Sequence, residues 1–254
     1  MWNDLQTDEP EGMVAETITL PGWHGDTIHA YFSRPLAEGP YGGIVLIPHL
    51  PGWDELNREV ARRFTQHDFM VVCPNINERF GHGTPDEAAA AARAAGGVPD
   101  ESVMADVEAS VAYMRSLPES NGKVGVIGMC SGGRHAFLAG CTLPDLDAVA
   151  ECWGGQVVAS PAELTPAKPV APIDLTEQLN CPMIGIFGND DQFPSPAQVD
   201  QHEAALKKAG KSYEFHRYDG AGHAIWNYTR DAYRPAAAMD SWNKVLAFFG
   251  EHLR

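Results

Sequence analysis

A cysteine framed by glycines, directly after a short apolar run, is the feature that most limits how this chain can fold. Residues 123–127 have the β-branched character of a strand, and residues 133–141 are compatible with a helix. Between them lies Gly128-Met129-Cys130-Ser131-Gly132. The glycines allow strand and helix to approach each other without Cβ clashes. The pattern predicts a nucleophile elbow, a sharp turn that exposes the side chain of Cys130 in a strained backbone conformation.

Strand-like and helix-like segments alternate along the rest of the chain. An opening hairpin is predicted over residues 14–20 and 27–33. Further strands are predicted at residues 43–48, 69–74, 123–127, 148–153, 182–187 and 213–218, and helices at residues 54–67, 101–116, 133–141, 196–209 and 232–253. This alternation predicts an α/β fold with a mostly parallel central sheet covered by helices on both faces. No linker or internal repeat interrupts it, so residues 1–254 are expected to form a single domain.

Two stretches lack the periodicity of a strand or helix. Residues 81–99 are rich in alanine and end in a glycine pair, and residues 160–172 are rich in proline. Both are expected to be irregular surface excursions, and the first could border a substrate pocket. For the second, loops without a functional role are an equally good interpretation.

Composition excludes several classes of function. The 254-residue chain carries a net charge of −16, which argues against nucleic acid and anionic membrane surfaces as partners. An anionic substrate would therefore require a local cationic patch. No apolar run reaches the roughly 18 residues of a membrane span, and residues 1–9 lack the features of a signal peptide. A cytoplasmic protein is expected.

The cysteines and histidines give no sign of a metal or a cofactor. The five cysteines are odd in number and contain no Cys-x-x-Cys pair, so free thiols in a reducing compartment are expected. No His-x-x-x-His pair or other zinc motif is present, and neither a metal nor a cofactor is predicted. Cys73, Cys141, Cys152 and Cys181 are interpreted as small buried hydrophobic residues.

Three residue types with complementary chemistry follow predicted strands. Cys130 is followed along the chain by Asp190-Asp191 and then by His223. Sites in open parallel sheets form at the carboxyl ends of the strands, where these residues should meet. A histidine can take the thiol proton and return it to a leaving group, and a carboxylate orients that histidine. From the residues alone, either aspartate could serve.

An oxyanion in such a site needs two backbone N–H donors. One is expected from Ser131, directly after the nucleophile. The other is expected in residues 49–52, after the first central strand. Leu50 is the candidate there, because Pro51 has no N–H to donate.

The chain resembles the dienelactone hydrolases (carboxymethylenebutenolidases) of the α/β-hydrolase superfamily. The resemblance covers about residues 17–249 and is carried by the elbow, residues 148–155, the spacing from Gly188 through Asp191 to Pro194, Gly220-x-Gly222-His223, and the late aromatic helix. It implies a triad of Cys130, His223 and Asp191. It also implies ester or lactone hydrolysis without a cofactor, on a small-molecule substrate, by a monomer or homodimer.

The chain departs from the family at the substrate-binding positions. His49 stands where the family has a glutamate, which suggests that resting Cys130 carries more thiolate than in the family prototype. Arg79 matches one of the arginines that hold the substrate carboxylate, whereas the second has no counterpart directly beyond His223. Trp53 and Trp153, with Trp226, are expected near the mouth of the site. These departures suggest a larger or more apolar ester.

Two alternatives to a dienelactone hydrolase remain open from the sequence. One is a promiscuous esterase of small esters without dienelactone activity, and the other is a non-catalytic thiol-sensing or binding protein on the same fold. His135 is interpreted as structural or partly exposed, because it lies on a different helix face from Cys130.

Overall fold

The computed structural model describes residues 12–254, and its centre is one eight-stranded sheet. The prediction that residues 1–9 are not a signal peptide concerns a segment outside the described residues. The strands are β1 (Met13–Pro21), β2 (Thr27–Pro35), β3 (Tyr41–Ile47), β4 (Phe69–Pro74), β5 (Ser120–Met129), β6 (Ala148–Cys152), β7 (Met183–Gly188) and β8 (Tyr213–Tyr218). The helices are α1 (Glu55–Thr65), α2 (Pro85–Ala94), α3 (Asp100–Ser116), α4 (Ser131–Thr142), α5 (Pro196–Lys208) and α6 (Pro235–Leu253).

The sheet has the order β1-β2-β4-β3-β5-β6-β7-β8. β1 and β2 form the expected hairpin, and β2 pairs with β4 in antiparallel orientation. The other neighbouring pairs are parallel, namely β4–β3, β3–β5, β5–β6, β6–β7 and β7–β8. The predicted α/β-hydrolase fold with a mostly parallel sheet is confirmed. Because the parallel strands run in one direction, the loops after β3, β5, β7 and β8 all emerge at one edge.

Helices cover both faces of the sheet and bury two apolar clusters. Along β3, Val45 and Ile47 belong to the cluster beneath α3 and α4, whereas Ile44 and Leu46 belong to the cluster beneath α1 and α6. This alternation follows from the two-residue period of a strand. All four side chains are fully buried, as expected for a parallel strand covered on both faces.

Residues 81–99 contain a helix, so the expectation of an irregular stretch is wrong there. Thr84 accepts a hydrogen bond from the Glu87 backbone N–H, and the Glu87 carboxylate accepts one from the Thr84 N–H. This capping box, with Pro85 at the first helical position, starts α2, and alanines propagate it. The capping box is visible in the sequence, but the glycines on both sides of the alanine-rich stretch favoured the prediction of a loop.

Residues 160–172 are irregular, as expected, apart from a 3₁₀ turn at Pro161–Glu163 and an isolated bridge between Thr165 and Lys168. The last helix begins at Pro235, three residues later than position 232. No helix in residues 12–254 is long and apolar enough to cross a membrane.

Candidate active site

Cys130 lies at the apex of the turn between β5 and α4, with φ of 56° and ψ of −121°. This positive φ is unfavourable for a residue with a Cβ and stores backbone strain. The strain is held by hydrogen bonds on both sides of the turn. The Cys130 N–H donates to the Cys152 carbonyl at 3.0 Å, and the Cys130 carbonyl accepts from the Gly133 N–H at 3.0 Å. The predicted elbow conformation is therefore present.

The glycines of the elbow are required by close backbone approach. A Cβ on Gly128 would lie 1.9 Å from the Gly132 carbonyl oxygen, and one on Gly132 would lie 2.2 Å from the Ile47 carbonyl oxygen. Real Cβ atoms do not approach oxygen so closely. The second contact brings the elbow against the end of β3, where the loop carrying Leu50 begins.

His223 and Asp191 meet at the same edge of the sheet, from the loops after β8 and β7. His223 Nδ1 lies 2.8 Å from Asp191 Oδ2, and the other carboxylate oxygen accepts from the Phe193 N–H at 2.9 Å. Asp191 is 4% exposed, so this anchored carboxylate fixes the histidine ring. Of the two aspartates that the sequence left open, the structure brings Asp191 to His223.

The environment of Cys130 favours its thiolate. Burial opposes ionisation, but hydrogen bonds from His223 and from the N–H groups of Ser131 and Leu50 lower the pKa of the thiol below its usual range. The N-terminus of α4, at which Cys130 stands, acts in the same direction. Burial likewise disfavours the imidazolium, but the hydrogen bonds with Asp191 and Cys130 raise the pKa of His223 to about 9. Both shifts favour a thiolate–imidazolium pair over a neutral thiol beside a neutral imidazole.

The other four thiols have the opposite electrostatics. Burial raises the pKa of Cys141 and of Cys181 to about 12, and it also raises the pKa values of Cys73 and Cys152 well above the usual range of a thiol. All four are buried. Cys130 is the thiol in this chain whose surroundings activate it.

The loop carrying Leu50 is braced from several sides. The Leu50 carbonyl accepts from Asn77 Nδ2 at 3.4 Å, and the Gly52 carbonyl accepts from Asn57 Nδ2 at 2.9 Å. Gly52 has φ of 84° and lies so near Asn77 that a Cβ would fall 2.4 Å from its amide nitrogen. These contacts hold the Leu50 N–H toward the Cys130 sulfur.

His49 belongs to this bracing. Its Nε2 lies 2.6 Å from Asp54 Oδ2, and the other oxygen of Asp54 caps α1 through the Asn57 N–H. Although burial opposes it, the hydrogen bond with His49 lowers the pKa of Asp54. His49 also lines the cavity beside Leu50 and Ser131. The groups that lower the thiol pKa are His223 and two backbone amides, so an effect of His49 on Cys130 stays a prediction.

Arg79 is engaged in an ion-pair network away from the elbow. Its guanidinium donates to both oxygens of Asp106 at 2.7 and 2.8 Å and to both oxygens of Asp26 at 2.7 and 2.9 Å. The hydrogen bonds that it donates to Asp106, followed by those to Asp26, raise the pKa of Arg79 despite burial. Because four of its five donors are used, the expectation that Arg79 binds a substrate carboxylate is not supported. The network ties the β1–β2 turn to α3.

The tryptophans expected at the mouth of the site are mostly core residues. Trp153 and Trp226 are 2% and 5% exposed and pack edge to face, with ring centroids 5.5 Å apart. The Trp226 Nε1–H donates to Ser241 at 2.8 Å. Trp53 is half-buried and packs beside the same apolar cluster as Cys130. Of these three, Trp53 alone retains exposure near the elbow.

A cavity of about 100 Å³ lies against the elbow and includes Leu50 and Ser131 in its lining. Lys168 and His135 line it as well, and neither was singled out for the site from the sequence. His135 is 2% exposed and bonds Asp100 at 3.2 Å, so the expected structural role holds, although the residue also faces this cavity. Lys168 stands in a proline-rich loop without a motif, so no local signal identified it.

Within residues 12–254, no group of three or more histidine, cysteine, aspartate and glutamate side chains is arranged to hold a metal ion.

Known proteins with the same fold and comparable sequences include hydrolases of one family. The chain is 28% identical over 247 residues to a Methylorubrum extorquens protein named "Putative carboxymethylenebutenolidase", covering 96% of this chain and 83% of the relative. It is 28% identical over 246 residues to a Bradyrhizobium protein named "Probable 2-oxo-3-(5-oxofuran-2-ylidene)propanoate lactonase", covering 95% and 98%. The crystal structure of a "Putative Dienelactone Hydrolase" from Klebsiella pneumoniae superposes with a TM-score of 0.86 at 26% identity, covering 94% and 99%.

A family model also matches most of the chain. The model of the dienelactone hydrolase family matches residues 28–253, which include the elbow, the carboxylate after β7 and the histidine after β8. The fold, the chain order of these groups and this match agree. The chain belongs to the dienelactone hydrolase family of hydrolases.

Proposed function

We propose that this hydrolase cleaves carboxylic esters or lactones through an acyl-cysteine intermediate, with Cys130, His223 and Asp191 as its catalytic triad. The observation that carries the proposal is the environment of the Cys130 sulfur. It hydrogen bonds with His223 and with the N–H groups of Leu50 and Ser131. A proton donor and two oxyanion donors therefore surround the proposed nucleophile, where the substrate carbonyl would have to bind.

The reaction would proceed in two halves. The Cys130 thiolate attacks the carbonyl carbon, and the resulting oxyanion is stabilised by the Leu50 and Ser131 amides. When the intermediate collapses, the bond to the leaving oxygen breaks, and that oxygen takes the proton held by His223. The neutral imidazole then removes a proton from water, which attacks the acyl-cysteine. Collapse of the second intermediate releases the acid and restores the thiolate and the imidazolium.

Asp191 acts on this cycle through the ring of His223. Its carboxylate faces Nδ1, so Nε2 is left to exchange protons with the sulfur and the leaving group. The negative charge also stabilises the imidazolium that exists before acylation and forms again during deacylation.

Activated esters and enol lactones are the substrates that fit this chemistry best. A thiolate leaves from a tetrahedral intermediate more readily than an alkoxide, so a poor leaving group would return to substrate instead of acylating the enzyme. Enolates and phenolates are good leaving groups. The lactonase name of the Bradyrhizobium relative supports the lactone branch of this proposal.

The test is acylation of Cys130 by p-nitrophenyl acetate. We expect a burst of p-nitrophenol equal to the enzyme concentration and one acetyl group on the peptide containing Cys130, measured by stopped flow and mass spectrometry. Cys130→Ser replaces the thiol by a hydroxyl group, which ionises far less readily, and should lose the burst. Full activity in Cys130→Ala would refute the mechanism.

The same experiment separates the alternatives. Rapid alkylation of Cys130 by iodoacetamide without an acyl-enzyme or turnover would favour a thiol-sensing protein. Turnover of short nitrophenyl esters without turnover of a dienelactone would favour a promiscuous esterase. Turnover of both, lost in Cys130→Ala, is the result expected of a dienelactone hydrolase.

A further inference from the structure

A glutamate and a histidine are buried together on the face of the sheet that α4 and α5 cover. Glu151 lies on β6 and is fully buried, and His202 lies on α5 and is 2% exposed. His202 Nδ1 lies 3.5 Å from Glu151 Oε2, at the outer limit of a hydrogen bond. The rings of Phe137 and Phe215 pack against the histidine, with centroids 4.4 and 5.3 Å from its own. The proposed reaction uses neither of the two ionisable groups.

Three polar atoms of this pair have no hydrogen-bond partner among residues 12–254. They are both carboxyl oxygens of Glu151 and Nε2 of His202. Buried polar atoms in native proteins almost always have a partner, because an unpaired one forfeits the hydrogen bonds that it makes with water in the unfolded chain. The three atoms therefore point to a ligand that is not a side chain.

A small cavity lies against the pair, between β6, α5 and the loop after β7. Its volume is about 10 Å³, and its lining includes Glu151, His202 and Pro194 together with the amide side chains of Gln156 and Gln198. This volume is about that of one water-sized sphere, and a buried water also needs two or more polar neighbours. The cavity meets both conditions for one water molecule.

The pair has no cationic partner among the residues that the structure describes, since neither lysine nor arginine lines the cavity. Burial raises the pKa of the Glu151 carboxyl well above its usual range and lowers the pKa of His202 to about 3. The other titratable groups near Glu151 are the thiols of Cys141 on α4 and Cys152 on β6, and burial raises the pKa of both, so they are neutral. The pair therefore retains one proton near neutral pH.

The Glu151 carboxyl lies behind the loops that carry the proposed triad. Gly154 is packed between this carboxyl and the first turn of α4, because a Cβ on Gly154 would lie 2.7 Å from Glu151 Oε1 and 2.9 Å from a backbone nitrogen of that turn. On the other side of the cavity, Pro194 directly follows Phe193, whose N–H donates to Asp191 at 2.9 Å. The pair thus connects the back of the elbow with the loop that holds the acid.

We propose that Glu151 is a positioning residue for the triad and that it binds one water molecule together with His202. After a small side-chain rotation the Glu151 O–H donates to His202 Nδ1. The Nε2–H donates to the water, and the water donates to the other oxygen of Glu151. This network fixes the separation of β6, α5 and the loop after β7, and so keeps Asp191 against His223. It depends on the geometry of the triad and not on which ester is cleaved.

The first test compares two substitutions of nearly equal size. Glu151→Gln keeps a donor and an acceptor, whereas Glu151→Leu removes both. In Glu151→Leu we expect the rate constant of the acyl-enzyme burst with p-nitrophenyl acetate to fall about tenfold to a hundredfold. The pH midpoint for alkylation of Cys130 by iodoacetamide should rise by at least about 0.5 units, because His223 is held less firmly beside the thiol.

The conservative variant and a control complete this test. Glu151→Gln should recover most of the burst rate and of the alkylation midpoint. The same two substitutions at Glu177, an exposed glutamate, should change neither quantity. If Glu151→Leu does not fold, His202→Phe removes the same hydrogen bonds from the α5 side and takes its place.

The second test counts the proton that the pair holds and needs no activity. In the unfolded chain the Glu151 carboxyl ionises with a pKa of about 4.3, so the native protein loses stability relative to Glu151→Gln as the pH rises. Between about pH 5.5 and 7.5, the unfolding equilibrium constant of the wild type divided by that of Glu151→Gln should increase about tenfold per pH unit. His202 titrates in the unfolded state of both proteins and cancels in this ratio. The corresponding ratio for Glu177→Gln should stay nearly constant.

Each part of the proposal has a result that overturns it. A ratio that stays within about twofold over this pH range overturns the protonated pair. An unchanged alkylation midpoint in folded Glu151→Leu or His202→Phe overturns the positioning role. A high-resolution crystal structure should show one water within hydrogen-bond distance of Glu151 and His202, and a dry cavity overturns that ligand. Absence of any acyl-enzyme on wild-type Cys130 overturns the proposed function instead, while alkylation and denaturation still decide this proposal.

Discussion

The strained backbone at the elbow predicts a substitution that stabilises the protein while removing the Cys130 thiol. Cys130 has φ of 56°, a conformation that glycine adopts readily and that residues with a Cβ do not. Backbone strain of this kind costs about 1–3 kcal/mol. Cys130→Gly should recover that free energy, whereas Cys130→Ala keeps the Cβ and therefore keeps the strain.

The free energy of the backbone strain at Cys130 can be separated from other effects of the substitution by comparison with an ordinary helix N-cap. Ser195 caps α5 with φ of −70°, where no strain is stored. Glycine and alanine differ in cap quality and in unfolded-state entropy at both positions, so these contributions cancel in the difference. The free energy of unfolding of Cys130→Gly minus that of Cys130→Ala should exceed the corresponding difference at Ser195 by about 1–3 kcal/mol.

The assay is equilibrium urea denaturation of the four variants, followed by far-UV circular dichroism at a fixed pH. In thermal unfolding, each kcal/mol should appear as about 2–4 °C in Tm for a chain of this size. An excess below about 0.5 kcal/mol is within the usual error of such comparisons and would refute the idea that strain is stored at the elbow. Both Cys130 variants should lack the acyl-enzyme burst.

Four further outcomes follow from the structure. Asp191→Asn should lower kcat by about 10³–10⁴-fold, because the histidine loses the carboxylate that orients it, with ester turnover as the measurement. With a lowered Cys130 pKa and a His223 pKa of about 9, kcat/KM should form a bell. It falls on the acid side as the thiolate is protonated and above about pH 9 as the imidazolium is lost, and a single rise near pH 9 would contradict the ion pair. Gly132→Ala should destabilise the fold by more than about 2 kcal/mol in urea denaturation, since its Cβ would lie 2.2 Å from a strand carbonyl oxygen. Gly250→Ala, a helical position with open space around it, should instead stabilise by about 1 kcal/mol.

The fold could be predicted from sequence because its signals are local. Short apolar runs that alternate with helical segments indicate a parallel sheet even when the pairing partner of each strand is not known. The glycines around Cys130 specify a turn by their spacing alone. The capping box at Thr84 was also local, but an alanine-rich stretch between glycines obscured it. The two buried faces then follow from the general rules for α/β folds, whereas the strand order was not predicted and is known from the structure.

The partners of polar side chains could not be predicted in the same way. Arg79 is paired with Asp26, 53 residues earlier, and with Asp106, 27 residues later, and no pattern in the sequence marks either contact. His49 bonds a carboxylate only five residues away, yet its direction depends on how the loop turns at Gly52. A match to a family position therefore located these residues without giving their roles.

The sequence by itself determined that a cysteine stands at the elbow, the chain order of cysteine, acid and histidine, and the strand ends at which they stand, because each depends on a few adjacent residues. The family resemblance already selected Asp191 over Asp190, and the structure shows Asp191 in contact with His223. Only the tertiary structure decided that Arg79 is engaged elsewhere. It also decided that Lys168 reaches the cavity beside the elbow. These are contacts between loops far apart in sequence, and packing of the sheet and its helices sets the distances between them.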